Sequence, residues 1–442
     1  MAYVADVFAD GVGGNTPITA AKLNKLGQGI VAADITNPAS AATTALAAAI
    51  TAQAEPVGLS GTTQAGLSNA YAGKSDLRNG RLREISPLVR LPMIRTAPTV
   101  TLSAGSAASS IASPQYITPN DASIRWSGVK SVPVYYSPGF FYYGDAYNTS
   151  TLDGSVYSID FVHYGRYCEP ALSGNGAGRS YQIFVDGVAL TSTPVLGPAN
   201  DSLIHRLLLD FGTAGLHHIR ILTNAGINTV AIGANDSIYA ATIPLGRKDY
   251  FLGDSWTAAS GADGLLAQGL ATYASEVLGS NQYNGGQAGT GYTIGGSGGR
   301  TTFQQRISTD VIPANPDRII IIGSRNDTDP TAVGTAARAT YSALASALPN
   351  VPVYVFGIQY PSTVANAGFD ALDAAIASAA AAAPNVKGFF SMKSWITGTG
   401  RVGSATGTGN ADIFISSDGV HPTSAGHQYY GDRIAQSIAG LY

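Results

Sequence analysis

A serine, a histidine and an aspartate in this sequence have the types and settings that acyl-transfer chemistry needs. The apolar stretch "DYFLG", residues 249–253, is followed by Asp254 and Ser255, so a serine hydroxyl comes directly after a predicted strand. Far along the chain, "DGVHP" places Asp418 three residues before His421 in a predicted loop. A serine becomes a useful nucleophile when a histidine takes its proton and a carboxylate orients that histidine. An ordinary turn at Ser255 is the alternative interpretation.

Two further loops carry groups that can donate hydrogen bonds to a developing oxyanion. "IIIIGSRNDT" places Asn326 just after a predicted buried strand, where its side-chain amide can point into a site. "YNGGQAGTGY", residues 283–292, is a glycine-rich turn whose backbone N–H groups can approach a substrate closely. Taken singly, each of these stretches is an ordinary loop.

The segments that must position these groups alternate between strand and helix from about residue 247 to the end. "RIIIIG", for example, is followed by the helical stretch "TAVGTAARATYSALASALP". Continuously apolar strands between helices are typical of a parallel sheet covered on both faces. In such sheets ligands lie at the carboxyl ends of the strands, where Ser255 is expected. This placement favours the nucleophile over the plain turn.

Four blocks occur in a fixed order, each at a strand end or in a loop before a helix. They are "GDS" at 253–255, "NGGQAG" at 284–289, "GSRND" at 323–327 and "DGVHP" at 418–422. This pattern resembles the SGNH, or GDSL-type, hydrolases, whose four blocks supply Ser, Gly, Asn and His. The resemblance covers roughly residues 247–442 and implies a three-layer, flavodoxin-like α/β fold over the predicted domain 246–442.

The same resemblance implies a role for each matching residue. Ser255 is expected to be the nucleophile, His421 the general base and later the acid, and Asp418 the group that orients His421. The backbone N–H of Ser255, the backbone N–H of Gly289 and the side chain of Asn326 are expected to form the oxyanion hole. No cofactor is implied, and no His/Asp/Glu cluster has the spacing of a metal site.

Two positions depart from the family pattern. Ser324 stands where the third block usually has glycine, so the path of that loop is open. Trp256 follows the serine where a smaller aliphatic residue is common, and it is expected to narrow the pocket. Neither departure removes a catalytic group. Asp254 is expected to stabilise its turn rather than to take part in the chemistry.

Residues 101–245 have a different pattern, with short runs rich in Val, Ile, Tyr and Phe and no helical segment between them. "SYQIFVDGVAL" and "LHHIRILT" are examples. Closely spaced short strands predict an antiparallel β-sandwich or jelly roll. The segment resembles the jelly-roll module that precedes the hydrolase domain in some carbohydrate esterases. Its aromatic stretch "VYYSPGFFYYGDAY" is interpreted either as core packing or as a surface that stacks on sugars.

Residues 1–75 are small, polar and rich in Ala and Thr, and they contain two predicted helical stretches. "GGNTPITAAKLNKLGQGI", residues 13–30, resembles the N-terminal segment of phage tail proteins. This resemblance implies attachment to other tail proteins and a homotrimer, whereas a flexible arm is the alternative. Residues 76–100, rich in arginine and proline, are expected to be a linker.

Composition excludes several classes of function. The net charge is −3 and no Lys/Arg cluster is present, so nucleic-acid binding is not expected. No apolar run reaches the ~20 residues that span a bilayer, so no membrane insertion is expected. The start of the chain has no secretory signal pattern, and Cys168, the single cysteine, permits no intrachain disulfide.

Together these observations predict a phage tail receptor-binding or spike protein that carries a serine esterase. Its expected substrates are O-acetyl or other acyl groups on a host cell-surface polysaccharide, or an acyl ester of the host envelope. Its expected location is the virion tail, after synthesis in the host cytoplasm and release by lysis. The alternatives are a bacterial carbohydrate esterase without a virion role and a tail protein that binds its receptor without catalysis.

Overall fold

The computed structural model describes most of the chain from residue 97 to residue 440. The described residues are 97–103, 105, 108–129, 134–136, 141–143, 156–174, 179–191, 195–196, 203–241, 246–262, 266–323, 325–364 and 366–440. The predicted N-terminal helical segment, residues 1–75, and residues 76–96 of the predicted linker lie outside them. The end of that predicted linker is described, and its Thr99 and Val100 begin a β-strand.

The part before residue 246 consists of antiparallel strands in the residues that the structure describes. They are β1 (Thr99–Ser103), β2 (Gln115–Ile117), β3 (Arg125–Ser127), β4 (Val134–Tyr136), β5 (Phe141–Tyr143), β6 (Tyr157–Ser173), β7 (Ser180–Val185), β8 (Val188–Ala189), β9 (Val195–Leu196), β10 (Ile204–Thr223), β11 (Ile227–Ile232) and β12 (Ser237–Tyr239). Their richness in β-branched and aromatic residues favours this conformation.

Two long strands, β6 and β10, organise this antiparallel sheet. Their register runs from Ile204 opposite Ser173 to Thr223 opposite Tyr157, with one shift after Asp210. Around them the strand order is β4-β5-β11-β6-β10-β7. Apolar side chains from one face form the core, among them Ile159, Phe161, Leu209, Ile219, Ile221 and Ile227.

The second sheet is parallel throughout and has the order β14-β13-β15-β16-β17. Its strands are β13 (Lys248–Gly253), β14 (Asn281–Gly286), β15 (Arg318–Ile322), β16 (Val353–Phe356) and β17 (Val386–Phe390). The four isoleucines of β15 are fully buried, so helices and loops cover both faces of the sheet.

This strand order decides which loops meet. Because β14, β13 and β15 are neighbours and parallel, their carboxyl ends lie side by side at one edge of the sheet. Ser255 follows β13, Gly289 follows β14 and Asn326 follows β15. Three of the predicted blocks therefore come from three adjacent strands.

The helices of this part connect and cover the parallel strands. They are α1 (Leu270–Leu278), α2 (Phe303–Arg306), α3 (Ile312–Ala314), α4 (Pro330–Ala347), α5 (Ala367–Ala381), α6 (Ala411–Phe414) and α7 (Ser424–Ala439). A short π-helical segment, Ile307–Val311, joins α2 to α3. No helix within the described residues is both long and apolar enough to cross a bilayer.

Side-chain caps fix where two of these helices begin. Asp329 accepts the N–H groups of Thr331 and Ala332 at the start of α4. Thr423 accepts the Gly426 N–H at the start of α7. The second cap matters for the site because Thr423 lies only two residues after His421 and fixes the start of α7.

The predicted sequence of an antiparallel β part followed by an α/β part with a parallel sheet is confirmed. The finer assignment of the first part as a jelly roll, and the predicted domain boundaries 101–245 and 246–442, remain predictions.

Candidate active site

The nucleophile candidate lies in a tightly packed turn after β13. A Cβ at Gly253 would lie 2.0 Å from Thr257 Oγ1, so only glycine fits at the strand end. The buried Asp254 accepts the Trp256 N–H through Oδ1 at 3.0 Å. Ser255 is itself 7% exposed, so its hydroxyl is close to the surface but not freely solvated.

Trp256, one of the two departures from the family pattern, packs away from solvent. Its side chain is fully buried and makes an edge-to-face contact with Tyr430 of α7, with ring centroids 4.9 Å apart. Such aromatic pairs contribute stability in addition to that gained by burying their surface. The tryptophan therefore anchors the nucleophile turn to α7. Ser324, the other departure, lies outside the described residues.

The structure brings His421 and Asp418 to this turn. His421 Nε2 lies 2.9 Å from Ser255 Oγ, and His421 Nδ1 lies 2.6 Å from Asp418 Oδ2. The ionised carboxylate can only accept a hydrogen bond, so Nδ1 carries the hydrogen and the Nε2 lone pair faces the serine hydroxyl. This is the arrangement in which an imidazole can take the serine proton.

The Asp418 carboxylate is held by several donors. Oδ1 accepts the N–H groups of Val420 and His421 at 2.7 and 2.9 Å and the Ser416 hydroxyl at 2.7 Å. Partial desolvation raises the pKa of this carboxyl, but the hydrogen bonds from His421, Ser416 and Val420 outweigh it. The net pKa of Asp418 lies well below its ordinary value, so the group is ionised at neutral pH.

The candidate oxyanion donors lie on two loops that are joined to each other. Asn326 Nδ2 donates to the Thr290 carbonyl at 2.9 Å, which brings the asparagine next to Gly289. The adjacent Asp327 is buried and accepts the Tyr292 and Thr293 N–H groups at 2.8 and 2.9 Å. These bonds fix the loop after β14 against the loop after β15.

Gly289 has a backbone conformation that favours glycine. Its φ is +73°, in the left-handed region that favours glycine, and the residue is exposed. No atom lies within 4 Å of the position that a Cβ would take. There is accordingly space beside Gly289 for a substrate.

Asp254, the residue before the nucleophile, has a raised pKa. Complete burial raises its pKa to about 6, against the opposing effects of the Trp256 N–H, Arg325 and His421. Its partner across the sheet is Gln359, whose Nε2 lies 3.1 Å from Asp254 Oδ1. The hydrogen bonds of Asp254 are consistent with the predicted role in its turn.

Arg325 connects the loop after β15 to the histidine loop. Its Nη1 donates to the Val420 carbonyl at 3.2 Å, and its guanidinium lies 5.4 Å from the centroid of the Phe369 ring. Since Val420 precedes His421, this contact supports the position of the imidazole.

Three residues that support the site were not predicted from the sequence. Gln359 holds Asp254, Gly261 packs against His421, and Arg306 contacts the ends of β13 and β14. One signal was available, because "TFQQ" at 302–305 is a capping box that marks the start of α2. The contacts of Gln359 and Gly261 have no local sequence signature.

The second histidine near the site has a structural role. His427 is fully buried in α7, where Nδ1 accepts the Leu270 N–H at 3.3 Å and Nε2 lies 2.9 Å from the Ser260 carbonyl. Both ring nitrogens therefore have protein partners. Within the described residues, no group of three or more His, Cys, Asp or Glu side chains is arranged to hold a metal ion.

No known protein-family profile and no curated protein sequence matches this chain. Solved structures do resemble it. A salicylyl-acyltransferase from a tetracycline biosynthetic pathway matches with a TM-score of 0.55 and 12% identity, over 74% of this chain and 97% of that one. A putative GDSL-like lipase from Bacteroides ovatus matches with a TM-score of 0.52 and 12% identity, over 78% and 98%.

A family two carbohydrate esterase from Cellvibrio japonicus matches with a TM-score of 0.50 and 12% identity, over 78% of this chain and 98% of that one. Identities this low show a shared fold and nothing more specific. The structural neighbours thus include SGNH/GDSL-like esterases and an acyltransferase, and the described part of the chain has their fold.

Proposed function

We propose that this protein is a serine esterase of the SGNH type, with Ser255 as nucleophile, His421 as general base and acid, and Asp418 as the residue that orients His421. The observation that carries the proposal is the unbroken series of contacts at the carboxyl end of β13. Asp418 Oδ2 lies 2.6 Å from His421 Nδ1, and His421 Nε2 lies 2.9 Å from Ser255 Oγ.

The reaction follows from this geometry. His421 Nε2 takes the Ser255 proton while Oγ forms a bond to the ester carbonyl carbon, giving a tetrahedral intermediate. The negative oxygen is stabilised by the backbone N–H groups of Ser255 and Gly289 and by the amide of Asn326. The C–O bond to the alcohol then breaks, and the imidazolium donates its proton to the leaving alkoxide. A water molecule, deprotonated by His421, releases the acyl group from Ser255 by the same steps.

The proposed substrates are O-acetyl or other acyl groups on a host cell-surface polysaccharide. Support comes from the shared fold with a carbohydrate esterase and from the preceding antiparallel β part, which we propose to be a jelly roll. Acyl esters of the host envelope are the second substrate class. Transfer of the acyl group to an alcohol instead of to water is the second reaction class.

We further propose that the protein acts in a phage tail as a receptor-binding homotrimer. This part rests on the resemblance of residues 13–30 to tail-protein segments. Light scattering of the purified full chain is expected to give three times the chain mass of 45.2 kDa. A monomer would favour an esterase without a virion role.

Covalent labelling tests the proposed nucleophile directly. A fluorophosphonate ester reacts with a serine only when a base activates it, so it should modify the peptide that contains Ser255. Ser255→Ala should remain unlabelled and His421→Ala should react slowly. An unlabelled parent chain, or a label on another serine, would contradict the assignment.

A further inference from the structure

A buried arginine lies beneath the candidate site. The side chain of Arg306, the last residue of α2, is fully buried. Its guanidinium donates to the Gly285 carbonyl, to the Gly253 carbonyl at 3.0 Å and to Thr290 Oγ1 at 3.2 Å. Arginine is suited to such a position because its planar fork can reach several acceptors at once.

These three acceptors belong to the segments that carry the proposed chemistry. Gly253 ends β13, two residues before Ser255. Gly285 lies near the end of β14, whose loop continues to Gly289. Thr290 follows Gly289, and its carbonyl accepts the amide of Asn326. The guanidinium therefore contacts the two segments that carry Ser255 and Gly289 directly, and Thr290 links it to Asn326.

The side chain of Arg306 is itself held in place. The Thr302–Gln305 capping box fixes the start of α2, and the guanidinium carbon lies 4.9 Å from the centroid of the Phe303 ring. Burial lowers the pKa of Arg306 to about 10, opposed by Tyr250, Asp310 and Asp254. The group is thus cationic at neutral pH.

A buried cation must be compensated by hydrogen bonds, because it has lost its hydration. Here the guanidinium donates to two backbone carbonyls and a hydroxyl. Asp310 and Asp254 are near enough to raise the pKa of Arg306, so they offset part of its positive charge.

We propose that Arg306 is a positioning residue for the esterase reaction: it sets the spacing between the nucleophile turn and the oxyanion donors. This inference rests on the proposed function. It predicts that loss of the guanidinium impairs the transition state more than the binding of the ester.

The chain offers a matched control in Arg318. This arginine is also buried, and it begins β15 of the parallel sheet. Its Nε donates to Asp249 at 2.8 Å near the amino-terminal ends of β15 and β13, away from the candidate site. Replacing it tests the effect of disturbing a buried arginine away from the site. Arg306→Lys keeps the charge at the site but removes the fork.

The experiment compares Arg306→Lys and Arg318→Lys in the full chain, with kcat and KM for an acetyl ester and inhibition by methylboronic acid. Boronic acids form a tetrahedral adduct on an activated serine, so they report on the oxyanion site. Arg306→Lys is expected to lower kcat by about 10²-fold, with KM within about threefold and boronate affinity reduced in parallel. Arg318→Lys should keep kcat within about threefold, whatever its unfolding temperature.

Thr290→Val is a milder second variant: it leaves the guanidinium buried and removes one of its acceptors, together with the bond from the Thr290 hydroxyl to the Gln287 carbonyl at 2.7 Å. It is expected to lower kcat about tenfold. If Arg306→Lys does not fold, Thr290→Val tests the positioning role of Arg306 in its place. Parental kcat and boronate affinity in the folded Arg306 variant, or in Thr290→Val, would overturn the positioning role alone. Absence of turnover and of serine labelling in the parent chain would instead overturn the proposed function, and this inference with it.

Discussion

His421 Nε2 lies 2.9 Å from Ser255 Oγ, although the two residues are 166 positions apart in the chain. Two features of the fold bring them together. The strand order places Ser255 at the carboxyl edge of the parallel sheet, and the Thr423 cap begins α7 just after the histidine loop. Packing of Trp256 against Tyr430 also joins the segment after β13 to α7.

Substitutions in the histidine loop test the proposed base. His421→Ala should lower kcat by at least ~10³-fold, because the variant lacks the imidazole that is positioned to accept the serine proton. Asp418→Asn should cost about 10² to 10⁴-fold, because an amide can stabilise the tautomer that places the proton on the wrong nitrogen. Steady-state kinetics on a short acetyl ester give both values. Near-parental activity in either variant would remove that residue from the proposed mechanism.

Asn326→Ala tests the proposed oxyanion hole. Loss of one oxyanion donor typically lowers kcat by about 10² to 10³-fold with little change in KM. The substitution also removes the bond to the Thr290 carbonyl, so circular dichroism should accompany the kinetics. An unchanged kcat with a raised KM would assign Asn326 to substrate binding instead.

Gly261 should be intolerant of any side chain. Its φ is +85°, and a Cβ there would lie 2.5 Å from the Pro422 carbonyl oxygen and 2.7 Å from His421 Cβ. Gly261→Ala should displace the imidazole and lower kcat by about 10²-fold, since small misplacements of catalytic groups are costly. Gly299→Ala is a matched control, because φ is +81° there and the Cβ would have no neighbour within 4 Å. Equal kcat values in the two variants would contradict this account.

Asp254 gives a prediction for the dependence of stability on pH. Its folded-state pKa of about 6 lies above the ~3.9 expected when unfolded, so the unfolded chain binds fewer protons between these values. The contribution of Asp254 to stability is present in full below about pH 4 and is lost as pH rises through about 6. It amounts to about 2–3 kcal/mol.

Asp254→Asn removes this titration and keeps an oxygen that can accept the Trp256 N–H. The free energy of unfolding of the variant minus that of the parent should therefore rise by about 2–3 kcal/mol between pH 4 and pH 7. Urea unfolding at several pH values measures the difference, in which the other titrating groups cancel. A difference that does not change with pH would show that the pKa of Asp254 is not raised.

The sequence allowed prediction of those parts that local patterns encode. The run of isoleucines in β15 predicts a buried strand, and the stretch that forms α4 has an uninterrupted helical pattern. Both elements lie where they were expected. The order of the four blocks predicted that Ser255, Asn326 and His421 come from separate elements. Their approach to one another depends on the strand order, which periodicity alone does not determine.

Other features depend on contacts between distant positions. Strand β14, "NQYNGG", looks polar but is fully buried, because Asn284 donates to the Thr257 carbonyl and Gln282 pairs with Thr272. Gln359 reaches Asp254 across 105 positions. Such partners become visible only when the chain is folded, so β14 as a fully buried strand and the support of Asp254 could not be derived from spacing.

The most direct test of the account is acetate release from a short acetyl ester by the purified full chain and by Ser255→Ala. The account predicts turnover by the parent that falls by at least ~10³-fold in the variant, because His421 would then have no hydroxyl to activate. Equal acetate release by the two proteins, or none by the parent on acetyl, longer acyl and host-envelope esters, would contradict the proposal that Ser255 makes this protein an esterase.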